Sequence, residues 1–128
     1  MSSQQWGHQA RGILRGLHAA SDVVRSSAVV SYDGLVLASV LAPGVDSDRF
    51  GAMCASLLAL SVRASQEVER GLLRQVILDC ELGPVLLTRA GDAGVLAIAT
   101  DPTKNLGKLI LDTRNAASAL ANLGGETE

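Results

Sequence analysis

The residues able to do chemistry are few and scattered. His8 and His18 are the two histidines; ten positions apart on a helix, they point about 80° away from each other. No shared metal is expected, and both read as partly exposed helix histidines. Cys54 and Cys80 are the two cysteines, and they lack the CxxC spacing of a zinc site or redox pair. Cys54 falls on the main stripe of a predicted helix and Cys80 within a predicted strand, where free cysteine behaves as a small buried group and not as an activated thiolate. Ser56, Ser61 and Ser65 lie inside a helical pattern without a GxSxG elbow, so a serine hydrolase has no support. There is no GxxxxGK[ST] to cradle phosphates. Thr103-Lys104-Asn105 beside Gly107-Lys108 opens a helix whose free N–H groups could meet an anion, yet a capped helix explains the same residues. Arg49, Arg63 and Arg70 belong to a long helix, whereas an arginine finger normally sits on a loop; they read as a solvated helix edge or as contacts that position a partner. No catalytic residue, cofactor or metal ligand is assigned, and the chain is not expected to be an enzyme.

Composition narrows the remaining classes. The 128 residues suit one domain. Hydrophobic residues make up 48% and charged ones 19%, which excludes a disordered chain. Trp6, Tyr32 and Phe50 are the only aromatic residues, too few for base-stacking platforms. A net charge of −2 gives no electrostatic footprint for nucleic acid or anionic lipid. No signal peptide and no apolar run long enough to span a bilayer is visible, so a cytoplasmic protein with no membrane insertion is expected.

Periodicity then places the elements. Trp6, Ala10, Ile13, Leu14 and Leu17 recur at helical spacing and predict a first helix over 5–20. Two strands, 23–32 and 35–41, flank Asp33-Gly34, a pair that accepts the positive φ of a hairpin turn. After Pro43-Gly44, the cap candidates Asp46, Ser47 and Asp48 start a second helix over about 47–70. Its main apolar stripe is Phe50, Met53, Cys54, Leu57, Leu60, Ala64 and Val68. A second stripe, Gly51, Ala55, Leu58, Val62 and Ser65, is rich in small residues and would allow close approach of another helix. Strands at 73–81, 85–90 and 94–100 follow, separated by Leu82-Gly83-Pro84 and Gly91-Asp92-Ala93-Gly94. A third helix runs from 106 to about 122, and Gly124 to Glu128 should fray.

The fold class is therefore α/β in the broad sense, α+β in detail: α-β-β-α-β-β-β-α with a five-stranded antiparallel sheet. Residues 1–4 are expected to be disordered, 5–122 to form a single domain and 123–128 a flexible tail. Both faces of the predicted strands are apolar, so helices should cover both sides. A five-stranded sheet is on the order of 24 Å wide, while one helix covers roughly 10–12 Å. The two terminal helices can cover one face; the central helix alone cannot cover the other. A two-fold dimer that pairs the central helices would bury the remainder.

The ordered set Ser31-Tyr32-Asp33-Gly34-Leu35-Val36-Leu37-Ala38-Ser39, the Ala/Leu-rich helix 47–70, Leu73-Arg74-Gln75-Val76-Ile77-Leu78-Asp79, Gly91-Asp92-Ala93-Gly94 with Val95-Leu96-Ala97-Ile98-Ala99, and Asn105-Leu106-Gly107-Lys108-Leu109-Ile110-Leu111 resembles the Roadblock/LC7 domain family. Within it, the chain is most similar to the bacterial MglB-type proteins. The resemblance covers residues 5–122 and implies a homodimer whose strands 73–81 pair across a two-fold axis, with both central helices on one face. It further implies a non-catalytic partner of a small Ras-like GTPase of the MglA type, whose GTP hydrolysis such dimers stimulate by reshaping the GTPase's own site. MglB-type proteins are tied to cell polarity and motility.

The expected GTPase-docking residues are Asp48, Arg49, Ala52, Ser56, Ala59 and Arg63 on the central helix. The expected dimer contacts are Ala55, Leu58, Val62, Leu73, Gln75, Ile77 and Asp79. A structural scaffold that assembles with other Roadblock-type domains irrespective of nucleotide state is the main alternative. A small-molecule sensor is the lesser one, because no convergent polar residues mark a pocket.

Overall fold

A helix begins where its free N–H groups find acceptors, and here Ser2 and Gln5 supply a reciprocal cap. The Gln5 amide donates to Ser2 Oγ at 3.1 Å and the Ser2 amide to Gln5 Oε1 at 2.9 Å. In the computed structural model, which describes residues 1–123, helix α1 accordingly spans Ser3–Ala20. It starts ahead of the expected residue 5, so residues 3 and 4 form its first turn instead of a disordered lead. Strands β1 (Val24–Val30) and β2 (Val36–Val40) form a hairpin around Asp33-Gly34. Gly34 sits at φ +96°, and its amide donates to the Ser31 carbonyl at 2.9 Å.

Helix α2 (Ser47–Glu67) is capped by Asp46, whose carboxylate accepts from the Arg49 amide at 3.0 Å. Strands β3 (Gln75–Leu78), β4 (Val85–Arg89) and β5 (Val95–Thr100) form a meander, with a short 3-10 turn at Gly91–Ala93 before β5. Helix α3 (Leu106–Ala121) closes the described chain. Leu123, expected in a free tail, packs partly buried on the core, while Gly124 to Glu128 lie outside the described residues.

The five strands make one antiparallel sheet in the order β2-β1-β5-β4-β3. Helices cover both faces. On one side α1 and α3 bury Ala10, Leu14, Leu17, Leu109 and Leu120 against Val29, Leu86, Leu96 and Ile98. On the other, α2 lays Cys54 and Leu58 on Ala28, Val30, Leu87, Val95 and Ala97. Strand β3 is shorter than the predicted 73–81. Its partner β4 ends at Arg89, which leaves Leu73 without a strand neighbour, and the turn closed by Gly83 N–H to Cys80 carbonyl (3.0 Å) takes up Asp79 and its followers.

The rotation of α2 departs from the sequence reading. Its sheet-facing residues are Gly51, Cys54 and Leu58, whereas Met53 and Leu60 of the predicted main stripe are 58% and 62% exposed. The reason is a close approach. A Cβ on Gly51 would lie 2.8 Å from Val36 Cγ2 and 2.9 Å from the Gly34 carbonyl oxygen. The helix therefore seats its glycine on the hairpin turn, and the larger Met53 and Leu60 rotate outward. Leu58, expected at a dimer contact, is 3% exposed inside its own core.

Two outcomes follow for stability. Gly51→Ala should cost about 1–3 kcal/mol through overpacking, whereas Gly12→Ala on the open face of α1, with nothing within 4 Å of the new methyl, should stabilise by roughly 0.5–1 kcal/mol. Urea unfolding followed by circular dichroism separates the two. His18 Nε2 lies 2.8 Å from the buried Ser27 Oγ, and burial, then the nearby Arg25 charge, hold its pKa below the ordinary 6.5. The unfolded chain then binds the extra proton, so this contribution is complete above pH 6.5 and is lost progressively as the pH falls below that value. The urea midpoint of a His18→Gln variant should show less of that acid loss than the wild type.

Candidate functional site

The outward side of α2 is a surface that the core does not use. Ala52, Ser56, Ala59 and Arg63 follow one another at helical spacing and are all exposed, with Asp48 and Arg49 at the N-terminal end of the same helix also exposed. The predicted docking residues thus share one accessible face. Beside them runs the displaced apolar stripe of Met53, Leu60 and, just past the helix, Val68, each more than half exposed. Small side chains next to exposed large apolar ones make a surface that a partner can approach closely and that water solvates poorly.

A groove of about 370 Å³ flanks this face, between Ala55, Leu58, Ala59 and Val62 of α2, Tyr32 of the β1–β2 turn and Arg89 of β4. The Arg89 guanidinium stacks 5.2 Å from the Tyr32 ring centroid, and the Tyr32 hydroxyl donates to the Gly91 carbonyl. Arg63 lines the same groove from the helix. Ala55 and Val62 are half-buried along it, so of the three helix residues expected at a dimer contact only Leu58 is withdrawn from the surface. Tyr32 and Arg89 escaped the sequence reading because nothing local joins positions so far apart; the one available signal was Tyr32 itself, the single tyrosine of the chain.

Strand β3 offers a second accessible feature. It stands at the edge of the sheet. The Arg89 amide donates to the Arg74 carbonyl at 3.1 Å, which makes Arg74 and Arg89 a hydrogen-bonded pair. Antiparallel alternation then turns the backbone groups of Gln75 and Ile77 away from β4, toward the open edge. Ile77 and Leu78 are exposed, and Leu73 is half-buried just before the strand. Asp79 lies exposed beyond its end. The opposite edge, β2, is engaged differently: α1 packs on it, and Arg11 Nε donates to the Ser39 carbonyl at 3.3 Å.

The chemically suggestive residues take structural places. The Cys54 thiol is buried, which pushes its pKa up to about 11, away from a reactive thiolate, while Cys80 is exposed and free. Asn105 Oδ1 caps α3 by accepting from the Lys108 amide at 3.0 Å, and Thr103 Oγ1 accepts from the Asn105 amide at 3.0 Å. Lys108 Nζ is shared between Asp112 (2.6 Å) and the Ala20 carbonyl at the end of α1 (3.2 Å). The stretch that could have met a phosphate is thus a cap and a tie between two helices. Among the described residues, no three His, Cys, Asp or Glu side chains gather as metal ligands. Among the same described residues, no helix is long and apolar enough to cross a membrane.

Comparison with known proteins agrees with this architecture. An uncharacterised protein of Methanocaldococcus jannaschii, MJ0714, is 36% identical over 100 residues, covering 78% of this chain and 84% of the relative. Among solved structures, Myxococcus xanthus MglB superposes with a TM-score of 0.87 at 14% identity, over 96% of this chain and 92% of that one. An MglB with tetrameric arrangement gives 0.83 at 22% identity, over 96% and 93%. At these identities the two structures attest the fold. Residues 14–100 match the Roadblock/LC7 domain, and with the helix-covered antiparallel sheet this makes the chain a member of the Roadblock/LC7 family.

Proposed function

We propose that this protein is a non-catalytic homodimeric regulator or adaptor that docks a small Ras-like GTPase on the outward face of α2 and stimulates its GTP hydrolysis. The observation that carries this reading is the pairing of two unspent surfaces on one Roadblock chain. One is an exposed helix face of small and apolar side chains; the other is an open strand edge at β3. The likeness to MglB-type proteins, with their MglA-type partners, supports a GTPase as the occupant of the first. The edge backbone of Gln75 and Ile77 supports a second copy at the other, with Leu73 and Asp79 flanking the paired strands and Ala55 and Val62 beside the second helix. A cytoplasmic location and a role in cell polarity or motility go with the same reading.

Docking near Asp48, Arg49, Ala52, Ser56, Ala59 and Arg63 has a physical rationale. Ala52 and Ala59 let a partner's backbone come close, Met53 and Leu60 supply apolar area to desolvate, and the charged ends set orientation. An activator must bind the GTP form more tightly than the GDP form, because equal affinity shifts no conformational equilibrium. The scaffold alternative has the same edge and helix face but no nucleotide dependence.

The test is binding and turnover with a purified Ras-like GTPase from the same organism. Affinity should be at least about tenfold higher for the GTPase loaded with a non-hydrolysable GTP analogue than with GDP, a difference near 1.4 kcal/mol. Ala59→Glu should weaken that binding while leaving the far-ultraviolet spectrum unchanged. Arg49→Ala and Arg63→Ala should leave stimulated hydrolysis at saturating protein intact, since neither is a finger. Equal affinity for both nucleotide states would favour the scaffold and remove the regulatory role.

A further inference from the structure

The two ends of β3 carry opposite charge. Arg70 and Arg74 stand on its N-terminal side, Asp79 and Glu81 on its C-terminal side, and all four are exposed. Among the described residues none of them belongs to a salt bridge. Around the N-terminal end, Arg70, Leu72, Arg74, Gln75 and Arg114 line an open groove of about 550 Å³. Three arginines and no acidic residue face this groove, in a chain whose net charge is −2. Its apolar components are Leu72, 73% exposed, and the half-buried Leu73. At the other end, Asp79 leads into the Cys80–Gly83 turn, which places two carboxylates, Asp79 and Glu81, beside Leu82, 80% exposed.

We propose that the arginine groove is the seat of the Asp79–Leu82 segment of a second copy of this chain, so that the charged ends of β3 select antiparallel self-pairing. The inference rests on the β3-edge homodimer put forward above and adds what decides its orientation and partner. A two-fold axis perpendicular to the sheet keeps both α2 helices on one face. Its two central registers set Val76 against the second copy's Val76, or Ile77 against its Ile77. In the first register Asp79 falls opposite Leu73, in the second opposite Gln75. Either one brings Asp79, Glu81 and Leu82 of the second copy beside Arg70, Leu72 and Arg74. Parallel pairing would set arginine against arginine and carboxylate against carboxylate. Charge at an edge strand that repels every arrangement but one protects it from promiscuous pairing.

Charge exchange tests this. One variant carries Arg70→Glu and Arg74→Glu; the other carries Asp79→Lys and Glu81→Lys. Each should keep the wild-type far-ultraviolet spectrum, because all four side chains are exposed on the single chain. Sedimentation of each alone should show self-association weakened by about a hundredfold relative to the wild type. Mixed in equal amounts they should form a heterodimer, since both contacts then join opposite charges, and native mass spectrometry would identify it. Wild-type self-association should also weaken as salt is raised, a reading that needs no variant. The inference is overturned, with the homodimer intact, if both variants dimerise like the wild type. It is equally overturned if they are monomeric and the mixture stays so, or if they dimerise normally and lose only binding to an acidic GTPase surface. A wild type that sediments as a monomer at all concentrations would instead remove the homodimer itself.

Discussion

The approach of α2 to the β1–β2 turn is the constraint on which the rest of the structure depends. With no side chain at Gly51, the helix backbone comes down onto Gly34 and Val36, and that contact fixes its rotation. Once it is fixed, Cys54 and Leu58 must fill the space over Ala28, Leu87 and Ala97, and the long side chains of Met53 and Leu60 have nowhere to go but outward. The accessible apolar stripe is thus a geometric result of one missing Cβ. A bulkier residue at position 51 would lift or turn the helix and redistribute what it shows to a partner.

The two faces of the sheet are served unequally. Two helices share one face and meet each other there, so their contact encloses the larger cluster of buried side chains. The single helix on the other face reaches fewer strands, and Leu78 at the far edge remains exposed. The width of five strands exceeds that of one helix, so this asymmetry follows from the element order. It gives the incompletely covered face and the open edge a common origin, which is why the surfaces proposed for docking and self-pairing adjoin.

Much of this was legible in the sequence, because the informative signals were local. Apolar runs bounded by turn residues located all five strands, Asp33-Gly34 marked the hairpin, and the periodic apolar residues of 5–20 and 106–122 gave the terminal helices within a few residues. The residues proposed for docking on α2 share one exposed face because helical spacing alone puts them there. The rotation of that helix was not legible: hydrophobicity ranks Met53 and Leu60 above Gly51, and only the distance to Val36 reverses the order. The length of β3 was missed for a related reason, since a strand ends where its neighbour ends, and β4 stops at Arg89. The arginine groove joins side chains from the α2–β3 loop, β3 and α3, which no window of sequence contains.

The order β2-β1-β5-β4-β3 has a consequence for how the chain reaches this state. Each half, α1 with the β1–β2 hairpin and the β3–β4–β5 meander with α3, is built from neighbours in sequence and closes only short loops. The β1–β5 ladder, from Val24 with Thr100 to Val30 with Val95, is the seam where the halves join. It sits in the middle of the sheet and bears most of the chain's loop-closure entropy. The most central pairing in space is therefore the most distant in sequence, and α2, which spans the two halves, is the tether that sets their effective concentration for one another.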